Sequence, residues 1–165
     1  MDLRESPARS RTCRHRASGA EQARTQKLKQ LAATEVVGGR PLIEDARFRD
    51  RIAEVELELA ALEITVLRVL SAEAKKGNPG PESSVLKIKG SEIQQTLTEL
   101  NMQAIGHYAH AYIPEAYELG WHGEPEGAED WGTTSSRYFN MRKTTIFGGS
   151  NEIQRNIIAQ RILGL

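Results

Sequence analysis

The chain has 165 residues and a mass of 18.3 kDa, with 39% hydrophobic and 27% charged residues; that suits one domain with one core and leaves no room for a complete second domain for a large cofactor. Aromatics are only 5% and β-branched residues are scattered, which argues against an all-β sandwich and for helices. Lys+Arg and Asp+Glu are both 22, so no overall positive field marks a nucleic-acid binder; no apolar run nears the roughly 18 residues of a membrane span, and a single cysteine, Cys13, excludes an internal disulfide framework or a Cys-based zinc site.

The balance is not local. Residues 1–30 hold eight basic and three acidic side chains, net +5, which leaves −5 for the rest. The segment 1–22 has almost no apolar residue and no helical period, so the reading is a disordered basic tail, with the domain over 23–165. A nucleic-acid arm and a transit-type peptide are weighed and set below a solvated tail, including one from non-native coding sequence joined to a domain. No secretory apolar region is read, so the expected location is the cytoplasm.

A short helix is expected over Gln22 to Ala33, broken by Gly38-Gly39-Arg40-Pro41, with Asp45 capping the next helix. From Arg47 to Lys76, Ile52, Val55, Leu59, Leu62, Val66 and Val69 step by 3 and 4 and form one bundle seam. Leu67 and Leu70 widen that stripe, so this helix should be covered on two sides. Gly77 to Pro81 turns the chain, and a further helix runs to about Ile105 on Leu86, Ile93, Leu97, Leu100 and Ala104. Gly90 lies inside it, and a close helix crossing would explain a residue that disfavours helix. Residues 106–137 read as a long loop, Tyr138 to Thr145 as a helical turn, and Ser150 or Asn151 as the cap of a last helix with Ile153, Ile157, Ile158 and Ile162 apolar. The fold class is all-α, an up-down four-helix bundle.

Three chemistries are weighed along the loop and its borders. His107, His110 and His122, with Glu126, Glu129 and Asp130, could suggest a metal, but His-x-x-His suits one helix face poorly, and no metal site is assigned. Glu54, Glu56, Glu58 and Glu63 read as a solvated flank rather than paired carboxylates. Tyr108, Tyr112, Tyr117, Trp121 and Trp131 read as loop anchors or a subunit contact rather than a stacking surface. The Gly148-Gly149-Ser150-Asn151 junction is the strongest candidate, because two glycines let a ligand approach the backbone and the helix after them presents free N–H groups.

The stretch Ile146-Phe147-Gly148-Gly149-Ser150-Asn151-Glu152-Ile153-Gln154-Arg155-Asn156-Ile157-Ile158-Ala159 resembles the terminal signature of acyl-CoA dehydrogenases. Lys87-Ile88-Lys89-Gly90-Ser91-Glu92 and Gly39-Arg40-Pro41-Leu42 also resemble the C-terminal helical domain of that family, over about residues 25–165. The version from Arg142 to Glu152 is most similar to bacterial branches such as pimeloyl-CoA dehydrogenase large subunits. The resemblance implies a C-terminal bundle lacking much of its first helix, and without the N-terminal helical and middle β-domains.

The implied activity is FAD-dependent α,β-dehydrogenation of an acyl-CoA thioester, an oxidoreduction of a CH–CH group in which a carboxylate takes the α-proton and flavin takes the β-hydride. The implied assembly is an oligomer whose bundle touches the FAD of a neighbouring subunit. Carried over by position, the implied cofactor contacts are Gln103, Gly106, Gly149, Ser150 and Glu152. The family's second Gly after Gln-x-x-Gly is His107 here, and Glu152 stands where the family has an amide. The family base position is Gly148, which carries no carboxylate, so no catalytic residue is assigned. Phe139-Asn140 replaces the family's Arg-Asp pair, and Thr34-Glu35-Val36-Val37 occupies the stretch of its pyrophosphate arginine. The implied chain is inactive alone, or serves as a non-catalytic helical subunit of a separate dehydrogenase chain.

Overall fold

The computed structural model describes residues 7–76, 80–111, 113–123 and 131–165, of which residues 7–18, 76, 116, 117 and 131 are described as backbone only. The readings placed on Tyr112, Glu126, Glu129 and Asp130, and on the side chains of Cys13, Tyr117 and Trp131, lie outside the described residues.

Helix α1 spans Pro7–Thr34. The tail expected over 1–22 is therefore helical from Pro7, and the first helix is not short. Glu21, Thr25, Leu28 and Ala32 are all buried and step by 4, 3 and 4, so the bundle face continues below Leu28 through two polar residues. A period counted on apolar residues stops at Leu28, although the helix does not. The Thr25 hydroxyl donates to the Glu21 carbonyl at 2.9 Å, which satisfies it inside its own helix.

Strands β1 (Val36–Val37) and β2 (Arg40–Pro41) pair antiparallel, Val36 with Pro41 and Val37 with Arg40. Gly38 and Gly39 both have positive φ, +62° and +82°, as a two-residue hairpin turn requires. Helix α2 (Ala46–Lys76) comes next, and Asp45 caps it as expected, its Oδ1 accepting from the Phe48 N–H at 2.8 Å. Phe48, Ile52, Val55, Leu59, Val66 and Val69 are buried along the expected seam. The second covered side is not complete among the described residues: Leu70 is half-buried, but Leu67 is 53% exposed.

Helix α3 (Ser83–Ile105) is the central rod, in contact with α1, α2, α4 and α5. Its Ile93, Leu97, Leu100 and Ala104 meet Leu28 and Ala32 of α1 and the α2 seam in one core. Among the described residues, no other element comes within 4 Å of where a Cβ on Gly90 would lie, so the expected close crossing is not seen among them.

The expected loop 106–137 contains 3-10 turns at Gly106–His110, Pro114–Tyr117 and Trp131–Thr133, and helix α4 (Thr134–Met141) starts inside it. A further 3-10 turn, Arg142–Thr145, leads to the glycine junction. Helix α5 (Asn151–Ile158) passes into a π-helical turn, Ala159–Leu163, ended by Gly164 at φ +73°. Its expected apolar face is covered only in part among the described residues: Ile157 and Ile158 are half-buried, while Ile153 and Ile162 are exposed.

Candidate functional site

One face of α3 carries polar residues four apart, and they fix the segment that precedes α5. Lys87 donates to the Thr144 carbonyl at 3.0 Å and to Asn151 Oδ1 at 2.8 Å. Asn151 is only 4% exposed, and its Nδ2 donates to Ser91 Oγ at 3.2 Å. One turn on, Gln95 Nε2 donates to the Arg142 carbonyl at 3.1 Å, and Arg142 Nη2 returns a bond to the Gln95 carbonyl at 2.7 Å. The Arg142 guanidinium also lies 4.3 Å from the centre of the Tyr138 ring. Lys87, Ser91 and Gln95 thus clamp residues 141–151 from one side of one helix.

The clamp presents the turn Gly148-Gly149-Ser150 at the surface. Both glycines are in the left-handed region, φ +70° and +89°. A Cβ on Gly148 would meet nothing, so its backbone is open to approach; one on Gly149 would come within 2.6 Å of the Gln154 amide. Ser150 caps α5, its Oγ accepting from the Ile153 N–H at 3.4 Å. The Glu152 carboxylate is exposed and held below its ordinary range, first by its own backbone N–H and then by the Ser150 hydroxyl. It already occupies the positive end of α5 that an anionic ligand would seek.

Gln103 and Gly106 lie elsewhere. Gly106 ends α3 at φ +63° with nothing near its missing Cβ. The Gln103 amide is engaged on both sides: Oε1 accepts from Arg51, and Nε2 donates to Glu99 at 3.2 Å. Ser91, which touches Asn151, and Gln103 are separated by 12 residues of α3, about 18 Å along its axis. The structure therefore brings Gly149, Ser150 and Glu152 together and keeps Gln103 and Gly106 at the far end of the same helix. The residues fit the uncharged edges of a nucleotide, which need open backbone and neutral acceptors, better than its phosphates.

Among the described residues, no three of His, Cys, Asp and Glu converge as metal ligands, and no helix is long and apolar enough to cross a membrane. The His107 ring lies against Tyr108 at 4.2 Å between centroids.

A group that the residue pattern does not reveal is Glu21, buried on α1 and facing Gln94 of α3. Its carboxyl is pushed above the ordinary range by burial, against the opposing pull of Arg24. Only the 4-3-4 spacing to Thr25, Leu28 and Ala32 could have shown that it faces inward.

Three comparisons bear on this geometry. The family described as "Acyl-CoA dehydrogenase, C-terminal domain" matches residues 8–163. Acyl-CoA dehydrogenase IpdE1 of Mycobacterium tuberculosis is 32% identical over 123 residues, 74% of this chain and 28% of that protein. The fold is similar to the ChsE4–ChsE5 complex from Mycobacterium tuberculosis, with TM-score 0.68 and 23% identity over 90% of this chain and 35% of the other, and to PigA in its FAD complex, with TM-score 0.67 and 22% identity over 90% and 34%.

Proposed function

From the premise that this chain belongs to the acyl-CoA dehydrogenase family through its C-terminal domain, we propose that it forms the flavin-facing helical part of an FAD-dependent enzyme that oxidises a CH–CH bond of an acyl-CoA thioester. The chain spans 28% of the length of IpdE1, and thioester binding and most of the flavin site are assigned to domains outside the matched region. FAD, when bound, accepts the hydride.

The observation that carries this reading is the clamped turn at Gly148-Gly149-Ser150, a rigid and open surface in the position of the family signature. Bare backbone at Gly148 admits a flat ring edge, the Gln154 amide covers Gly149, and Ser150 offers a hydroxyl. Gln103 and Gly106, about 18 Å away along α3, are assigned to a second contact, on the FAD of a neighbouring subunit. No carboxylate stands at Gly148, and Glu152 is turned onto its own helix end, so this turn supplies no base for the α-proton. The chain by itself is therefore inactive. Purified chain should show no flavin absorbance and no acyl-CoA-driven dye reduction; clear turnover would refute this.

A non-catalytic role as helical subunit of a separate dehydrogenase chain is favoured by a different observation, the exposed Leu57 and Leu67 on α2 and Ile153 and Ile162 near the C-terminus. Two-chain assembly is named for ChsE4–ChsE5. Co-purification with a longer flavoprotein supports this role. A monomer in light scattering with no partner in pull-down counts against it.

A further inference from the structure

Helix α2 carries a second apolar row. One side of it is committed to the core, while Leu57, Ile64 and Leu67 on the opposite side are 72%, 59% and 53% exposed. Ala60 and Ala61 stand between them, also exposed, and side chains this small let a second helix axis approach to about 8 Å.

The charges on that side point to what covers it. Asp50 and Glu54 precede the apolar row and Arg68 and Lys75 follow it, all four exposed. At 3.6 residues per turn these four and Leu57 fall within about 60° of arc, so they share one face. Glu56 and Glu58, off that face, are drawn back onto the bundle by Lys29 and Lys89. Among the described residues nothing pairs with Glu54, Arg68 or Lys75, and Asp50 meets only its neighbour Arg49, at 4.0 Å. A face that is acidic at one end and basic at the other repels a parallel copy of itself and attracts an antiparallel one.

We propose that α2 pairs antiparallel with α2 of a second copy of this chain, about a two-fold axis at the level of Leu62. In that register Leu57, five residues before the axis, lies opposite Leu67, five residues after it, and Ala60 lies opposite Ile64. Asp50 comes within one residue of the level of the second copy's Lys75, and Glu54 within two of its Arg68. These offsets are about 1.5 and 3 Å along the axis, inside the reach of the side chains. The contact is isologous, so each charge pair occurs twice. Exposed ion pairs set orientation more than strength, and the apolar row supplies the attraction. The pairing deepens the subunit reading above by naming a second copy as the partner. That reading is decided by co-purification with a longer flavoprotein, whereas the pairing is decided on the purified chain alone.

The experiment is light scattering of the full chain at tens of micromolar and low salt, where the mass should be twice 18.3 kDa. Glu54→Arg and Arg68→Glu, each alone, turn two attractions into two repulsions and should weaken the dimer about tenfold. The double variant restores opposite charges and should recover the native dissociation constant. Orientation is read by oxidative cross-linking on a Cys13→Ser background. A mixture of Leu57→Cys and Leu67→Cys chains should form a disulfide-linked pair, and Leu57→Cys alone should not, because its own copies lie ten residues, about 15 Å, apart. Helical circular dichroism unchanged from the native chain establishes that each variant is folded; should a charge variant fail this, the native mass and the cross-linking pattern still decide. A monomeric native chain, a double variant no tighter than the single ones, or cross-linking of Leu57→Cys to itself would overturn the proposal.

Discussion

Asn151 ties the C-terminal helix to the rest of the molecule through Lys87 and Ser91. Asn151→Ala leaves a lysine ammonium with one partner fewer and an empty polar pocket, and should cost about 1–3 kcal/mol in urea unfolding. Asn151→Asp keeps the acceptor for Lys87 and should recover most of that loss, an outcome that separates the hydrogen bond from simple packing. Glu21 makes a prediction of the opposite kind. Burial raises its folded pKa above 4.5, against the lowering influence of Arg24, Gln94 and Arg137. The folded state therefore binds the proton more tightly than the unfolded state does. The resulting stability is complete below pH 4.5 and is lost as pH rises through the folded value. The difference between the chain and Glu21→Gln, followed by urea midpoints across that window, should move against the native residue as pH rises. A flat difference would mean that Glu21 is not buried in solution.

At the scale of elements, α2 was legible almost to its ends because its buried face is apolar at every step from Phe48 to Val69. Helix α1 was not, because Glu21 and Thr25 hold the same inward positions that Leu28 and Ala32 hold, and a polar residue carries no sign of which way it faces. The glycine turn was legible for the reason α2 was: φ near +70° and +89° is a local demand that only glycine meets without strain. The clamp beneath it was not, since Lys87, Ser91 and Gln95 meet residues 141–151 only after folding across more than forty positions. Gly90 shows the limit from the other side. The sequence suggests a close crossing, and among the described residues no atom from another element comes within 4 Å of a Cβ placed there. Gly90→Ala should thus stabilise the isolated chain by about 1 kcal/mol, through helix propensity alone. A loss of stability in thermal unfolding would show that another chain, or an unseen packing partner, approaches α3 at that point.

For the molecule as a whole, the apolar groups that found no cover are as informative as the core. Leu57, Ile64 and Leu67 lie on the side of α2 away from its buried seam, in one stripe at helical spacing. Single exposed leucines are ordinary on protein surfaces, whereas rows of them mark contacts with another molecule. The same holds for Phe147, Ile153 and Leu163 around α5, which are exposed while Ile157 and Ile158 of the same helix are half-buried. A bundle that buries one face of α2 and leaves an apolar stripe on the opposite face carries the surface that the proposed subunit role would use. Replacing both Leu57 and Leu67 by Lys should change folding stability by no more than about 0.5 kcal/mol per site, because neither contributes to the core. It should also lower self-association: light scattering is expected to give the native chain a mass above 18.3 kDa and the double variant a mass near it. If the native chain already scatters as a monomer at micromolar concentration, that side of α2 needs a different chain to cover it, and the heteromeric role gains over the homomeric one.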